Sequence, residues 1–67
     1  MKVGCTGNFN KTNFYKILDK LIALFQEVNH DLFLDNSIPF DNDRIEIKSL
    51  EGICKQCDFL ITIGGDG

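Results

Sequence analysis

The sequence is poor in positive charge, in proline and in long apolar runs. Seven Lys and Arg stand against ten Asp and Glu, a net charge of −3. The few cations are scattered instead of clustered, which excludes the basic face that nucleic acid requires. No window approaches the roughly 18 apolar residues of a membrane span. Met1-Lys2-Val3-Gly4-Cys5 runs on into Gly and Asn where a secretory signal would have its apolar centre, so the expected location is the cytoplasm. Three cysteines without a secretory signal favour reduced thiols over a disulfide framework. Cys54-Lys55-Gln56-Cys57 spells C-x-x-C, but the other half of a zinc site is missing: the single histidine is His30, and Cys5 lies on another element. A redox C-x-x-C normally opens a helix, whereas this one closes one. Cys54 is expected to pack as a small apolar residue, with Cys57 at the helix exit. Gly4-Cys5-Thr6-Gly7 does not complete G-x-G-x-x-G, and no G-x-x-x-x-G-K-[ST] occurs. Asp41-Asn42-Asp43 lacks the Gly and the closing Glu of a calcium loop and reads as an exposed loop.

What is present is the composition of an ordinary globular protein, 43% hydrophobic and 25% charged. Its 67 residues form at most one small domain with a thin core. Lys2 to Thr6 reads as a strand and Gly7-Asn8-Phe9-Asn10 as a turn. From Thr12 to Val28, Phe14, Ile17, Leu18, Leu21, Ile22, Phe25 and Val28 keep the spacing of a helix with one buried face, which Tyr15 and Leu24 widen. Asn10 or Thr12 is the expected cap. His30 ends the helix, where a protonated ring suits the negative pole of the dipole. Asp31-Leu32-Phe33-Leu34-Asp35 reads as a second strand, closed by Asn36, Ser37 and Pro39. Asp35 stands where dinucleotide folds place an acid for the adenosine ribose, but a solvated turn residue is the preferred reading. Arg44 to Lys48 alternates as a short edge strand, and Ser49 caps a short helix with Leu50, Ile53 and Cys54 on one face. The order β-α-β-(β)-α-β with right-handed crossovers gives an α/β fold: an incomplete Rossmann-like three-layer unit around a parallel sheet of three or four strands.

The final ten residues organise the rest. Phe59-Leu60-Ile61-Thr62-Ile63 shows no polar alternation, as in a strand buried on both faces of a parallel sheet. It runs into Gly64-Gly65-Asp66-Gly67, where bare backbone can approach another group and Asp66 is the one side chain offered. Ligands of open α/β sheets collect at the carboxyl ends of strands, and successive N–H groups of a glycine turn can cradle an anion. A phosphate-bearing ligand fits this turn. Beside a phosphate, a carboxylate can hold a divalent cation, accept a hydroxyl proton or bond a ribose hydroxyl.

Ile63-Gly64-Gly65-Asp66-Gly67 after this strand resembles the GGDG motif of NAD kinases, shared more loosely with diacylglycerol and sphingosine kinases and with phosphofructokinases. Asp58 followed by the strand is similar to the NAD kinases most of all, and so is a first strand that ends in Gly7-Asn8. The resemblance implies an enzyme that phosphorylates the 2′-hydroxyl of NAD's adenosine ribose to give NADP. ATP or polyphosphate would be the donor, and a divalent metal, Mg2+, the cofactor. It makes Asp66 the catalytic base, and Gly64, Gly65, Asp66 and Gly67 the nucleotide-binding residues, with Asn8 a secondary candidate. The resemblance covers the N-terminal part of an α/β nucleotide-binding domain, without the family's β-rich C-terminal domain. The isolated chain is therefore expected to have little or no kinase activity, and the complete protein to be a homo-oligomer. A lipid or sugar kinase with the same turn is the nearest alternative, and a non-enzymatic flavodoxin-like or receiver-like module a more distant one. Against a receiver, the tip of the first strand carries no pair of acids.

Overall fold

The computed structural model describes residues 1–64. Its elements are β1 (Lys2–Gly7), α1 (Phe14–Glu27), β2 (Asp31–Asp35), β3 (Glu46–Lys48), α2 (Leu50–Gln56) and β4 (Phe59–Ile63). The strands form one sheet in the order β3-β2-β1-β4, and every neighbouring pair is parallel. The α/β architecture expected from the sequence is thus the one the chain adopts. Parallel pairing sends all four strand tips, and the loops that leave them, to the same end of the molecule.

Strand geometry divides the core between two faces. Val3 and Cys5 of β1, Leu32 and Leu34 of β2 and Ile63 of β4 point to one side, where they pack with Phe14, Leu18 and Ile22 of α1. Ile38 and Ile45 of the long β2–β3 loop close the same cluster. The loop is pinned to α1 by Tyr15, whose hydroxyl donates to the Pro39 carbonyl at 2.6 Å and whose ring stacks on Phe40. The other side of β1 offers Gly4, and α2 settles there. A Cβ at Gly4 would come within 2.1 Å of Ile53 Cγ2, so a bare backbone is what lets the short helix reach the sheet. Helices thus cover both faces, the three layers that the pattern predicts.

α1 keeps its predicted stripe only in part: Phe14, Leu18 and Ile22 are buried, while Ile17, Leu24 and Val28 stay exposed. Its start differs from expectation. Neither Asn10 nor Thr12 caps it; the N-cap is Asn13, which makes no side-chain cap bond. The chain instead enters through a turn built on Asn8, whose Oδ1 accepts from Asn10 N and whose carbonyl accepts from Lys11 N. The far end closes as a Schellman motif: Asn29 takes φ 58°, with His30 N bonded to Phe25 O and Asn29 N to Gln26 O. α2 opens as predicted, Ser49 Oγ accepting from Gly52 N at 3.1 Å.

Two expectations are corrected. β4 is an edge strand, not one buried on both faces: only Ile63 is buried, and Phe59 and Leu60 are 63% and 46% exposed. Its run of strand-favouring residues reports what the strand is suited to touch, while the sheet order leaves β1 as its one neighbour among the described residues. Cys54 is exposed instead of packed, because a seven-residue helix lying over Gly4 turns a single side chain, Ile53, fully into the sheet.

Candidate functional site

The site is built where β1 and β4 end together. Their register runs from Val3 beside Phe59 to Gly7 beside Ile63. It is fixed at the entrance by Asp58, whose N–H donates to Lys2 O at 2.7 Å and whose Oδ2 accepts from Lys2 N at 3.0 Å. The acid preceding the strand therefore locks register and lies at the end opposite the strand tips. At the exit, Asn8 N donates to Ile63 O at 3.1 Å, extending the ladder one step past the strand. Gly7 adopts φ +150°, and an added Cβ there would stand 2.0 Å from Ile63 O. The two strand tips approach more closely than any side chain at position 7 permits.

Gly64 then leaves β4 with φ +74°, a left-handed conformation that suits glycine. A Cβ on it would meet Lys11 Cγ at 3.1 Å and Asn8 O at 3.4 Å. The first glycine of the motif is thus packed against the β1–α1 loop, as close backbone approach requires. Gly65, Asp66 and Gly67 lie outside the described residues. Around Gly64 opens a cleft of about 340 Å³, lined by Lys11, Thr12, Asn13, Phe14, Ile17 and Ile63. Lys11 is exposed, and the ion pairs among the described residues, Lys48–Glu46 and Lys55–Glu51, do not involve it. The start of α1 forms another wall, with no side chain satisfying its first N–H groups. A cation, a helix start and bare backbone together favour an anion.

Lys11 is the residue that sequence reasoning missed. No motif marks it; only the folding of the β1–α1 loop against β4 brings it to Gly64. Asn8 acts in the structure as a turn residue, its side chain committed to Asn10 N at 3.0 Å. A larger cleft, about 650 Å³, lies at the opposite end, between His30–Phe33 and Phe40–Ile47. It opens at the strand starts, away from the tips where sheets of this kind bind ligands, and the smaller cleft is the better placed. His30, exposed beside the N-terminal amine, belongs to that far end as well.

Asp35 is corrected from a solvated turn residue to a buried one, 5% exposed. Oδ2 accepts from Thr6 Oγ1 at 2.7 Å and Ser37 Oγ at 2.9 Å, and Oδ1 from Ser37 N at 3.1 Å. With both oxygens engaged, the carboxylate is poorly disposed to take a ribose hydroxyl. Burial pushes its pKa up, but the three donors outweigh burial and hold it below the ordinary 3.8. The unfolded chain therefore takes up this proton at a higher pH than the folded one. The resulting stability is complete above the ordinary value and is lost as pH falls through the folded value. Thermal unfolding followed from about pH 6 to pH 2.5 should show an acid limb below about pH 4 that is shallower in Asp35→Asn.

Cys5 is fully buried, and burial raises its thiol to about 11, so it is neutral and inert. Burial, followed by the charge of Asp58, raises Cys57 as well, the opposite of an activated redox thiol. A divalent cation needs several oxygen donors in one place. Among the described residues no three acidic, His or Cys side chains converge in that way. No described helix is long and apolar enough to cross a membrane.

Comparison with known proteins points the same way as the turn. The chain is 33% identical over 67 residues to an NAD kinase of Saccharophagus degradans, a match that takes in 97% of the chain and 23% of that protein. It is 30% identical over 70 residues to an NAD kinase of Hydrogenovibrio crunogenus, with 98% and 24% covered. An NAD kinase of Francisella tularensis subsp. novicida is 29% identical over 68 residues, with 98% and 23% covered. The chain spans about a quarter of the length of the curated relatives it matches. No family model matches it, and no solved structure matches it significantly.

Proposed function

We propose, from the premise that this chain is similar to NAD kinases along almost its whole length, that it is the N-terminal part of the nucleotide-binding domain of such a kinase. The complete enzyme transfers the terminal phosphoryl group of ATP, or of polyphosphate, to the 2′-hydroxyl of NAD's adenosine ribose and yields NADP. It works in the cytoplasm as a homo-oligomer and uses Mg2+. Asp66 is the base that accepts the hydroxyl proton, and Gly64, Gly65 and Gly67 let the backbone approach the nucleotide. A β-rich domain beyond this segment completes the pocket.

The observation that carries the reading is the exit of β4: Gly64, at the carboxyl end of a parallel sheet, packs on the β1–α1 loop. Lys11 and the start of α1 supply the positive potential that phosphates need, and Asp66 follows two residues after Gly64. Phosphoryl transfer needs little from a protein beyond positioning, charge compensation and a group to orient the nucleophile, which is what this end of the sheet offers. The test is Asp66→Asn in a kinase that carries the segment: loss of NADP formation with the fold retained supports the role, and retained turnover removes it.

A further inference from the structure

Thr6 and Asp35 sit side by side at the tips of β1 and β2. The register that pairs Cys5 with Leu34 brings the next residues together on the α2 face. Their hydrogen bond, at 2.7 Å, is the shortest of the three on the buried carboxylate. Asp35 is also the one polar or charged residue among the described residues that is buried. An unmade bond there leaves a charged group uncompensated, so the contact is strongly determined. Thr6 is followed by Gly7, held against Ile63, and by Asn8, which donates to Ile63 O and accepts from Lys11 N. A single track of contacts therefore runs from Asp35 through Thr6 and the β1 tip to the exit of β4 and to Lys11.

We infer that Asp35 is a positioning residue. Through Thr6 it fixes the β1 tip, which in turn sets the distance between Lys11 and Gly64 at the end that receives the nucleotide. The inference rests on the reading of that end as a nucleotide site, but the pin itself is testable without any ligand.

The experiment uses amide hydrogen exchange by NMR on an NAD kinase that carries this segment and on its Thr6→Val and Thr6→Ser variants, followed by titration with NAD. Valine keeps the shape and removes the hydroxyl; serine keeps the hydroxyl. Thr6→Val is expected to speed exchange of the Asn8 amide about tenfold or more while the β1–β2 amides around Val3 to Cys5 hold their rates, since local opening is read residue by residue. Thr6→Ser should restore the Asn8 rate, and NAD-induced shifts at Lys11 and Gly64 should shrink in Thr6→Val alone. An unchanged Asn8 rate, a uniform rise across the sheet, global unfolding by Thr6→Val, or failure of Thr6→Ser to restore protection would each overturn the assignment. If the parent kinase shows no NAD-induced shifts at Lys11 and Gly64, the nucleotide reading fails, whereas the exchange pattern still decides the pin.

Discussion

Asp66→Asn, placed in an NAD kinase that carries this segment, is expected to lower kcat for NADP formation by about 10²–10⁴-fold, the range a positioned general base contributes. KM for NAD should change little. The amide is close in size to the carboxylate and keeps one acceptor for a ribose hydroxyl, but it cannot take the proton that the attacking hydroxyl must lose. The split between kcat and KM matters because the plain alternative for Asp66 is a turn aspartate bonding its own backbone. In that case Asn, which serves turns equally well, would leave both constants near their parent values. Thermal unfolding of the variant, compared with the parent, keeps a loss of fold from passing as a loss of chemistry.

Gly7→Val should be the most damaging single change to the fold. The position combines φ +150° with a Cβ that would fall 2.0 Å from Ile63 O and 2.8 Å from Ile63 N. Both neighbours are backbone of the paired strand, so neither can swing aside as a flexible side chain does. The unfavourable φ alone costs about 1–3 kcal/mol, and parting the strand tips adds the loss of the Asn8–Ile63 bond and of Ile63 from the core. In a domain of this size each kcal/mol moves the thermal midpoint by about 4–8 °C. Circular dichroism should therefore show a midpoint lowered by at least about 10 °C, or no folded baseline. A midpoint within a few degrees of the parent would mean that the tips of β1 and β4 are not held as described.

Local pattern carried most of the architecture, because each element is short and its signal is contained within it. Leu18 and Ile22 on α1, the acid-flanked run of β2 and Ser49 three residues before Gly52 all declare themselves within a turn or two. What pattern missed depends on neighbours distant in sequence. Asp35 reads as a turn acid until β1 brings Thr6 beside it, 29 residues away. Lys11 has no signature until Gly64 closes on it. Phe59 and Leu60 read as interior residues because composition records suitability for burial and not the order of strands. The glycine turn offers its chemistry as an expectation: four residues after the strand suggest a phosphate and a base. Its first glycine takes the left-handed backbone that the suggestion needs.

The central claim is that the nucleotide meets this chain at the β1 and β4 tips. Its most direct test is a ¹H–¹⁵N titration of an NAD kinase that carries this segment with NAD and, separately, ATP, to millimolar concentration. Shifts that cluster at Asn8, Lys11, the first turn of α1 and Gly64 are the predicted result. Shifts confined to the Phe40–Ile47 cleft, or none up to that concentration for either nucleotide, would contradict it.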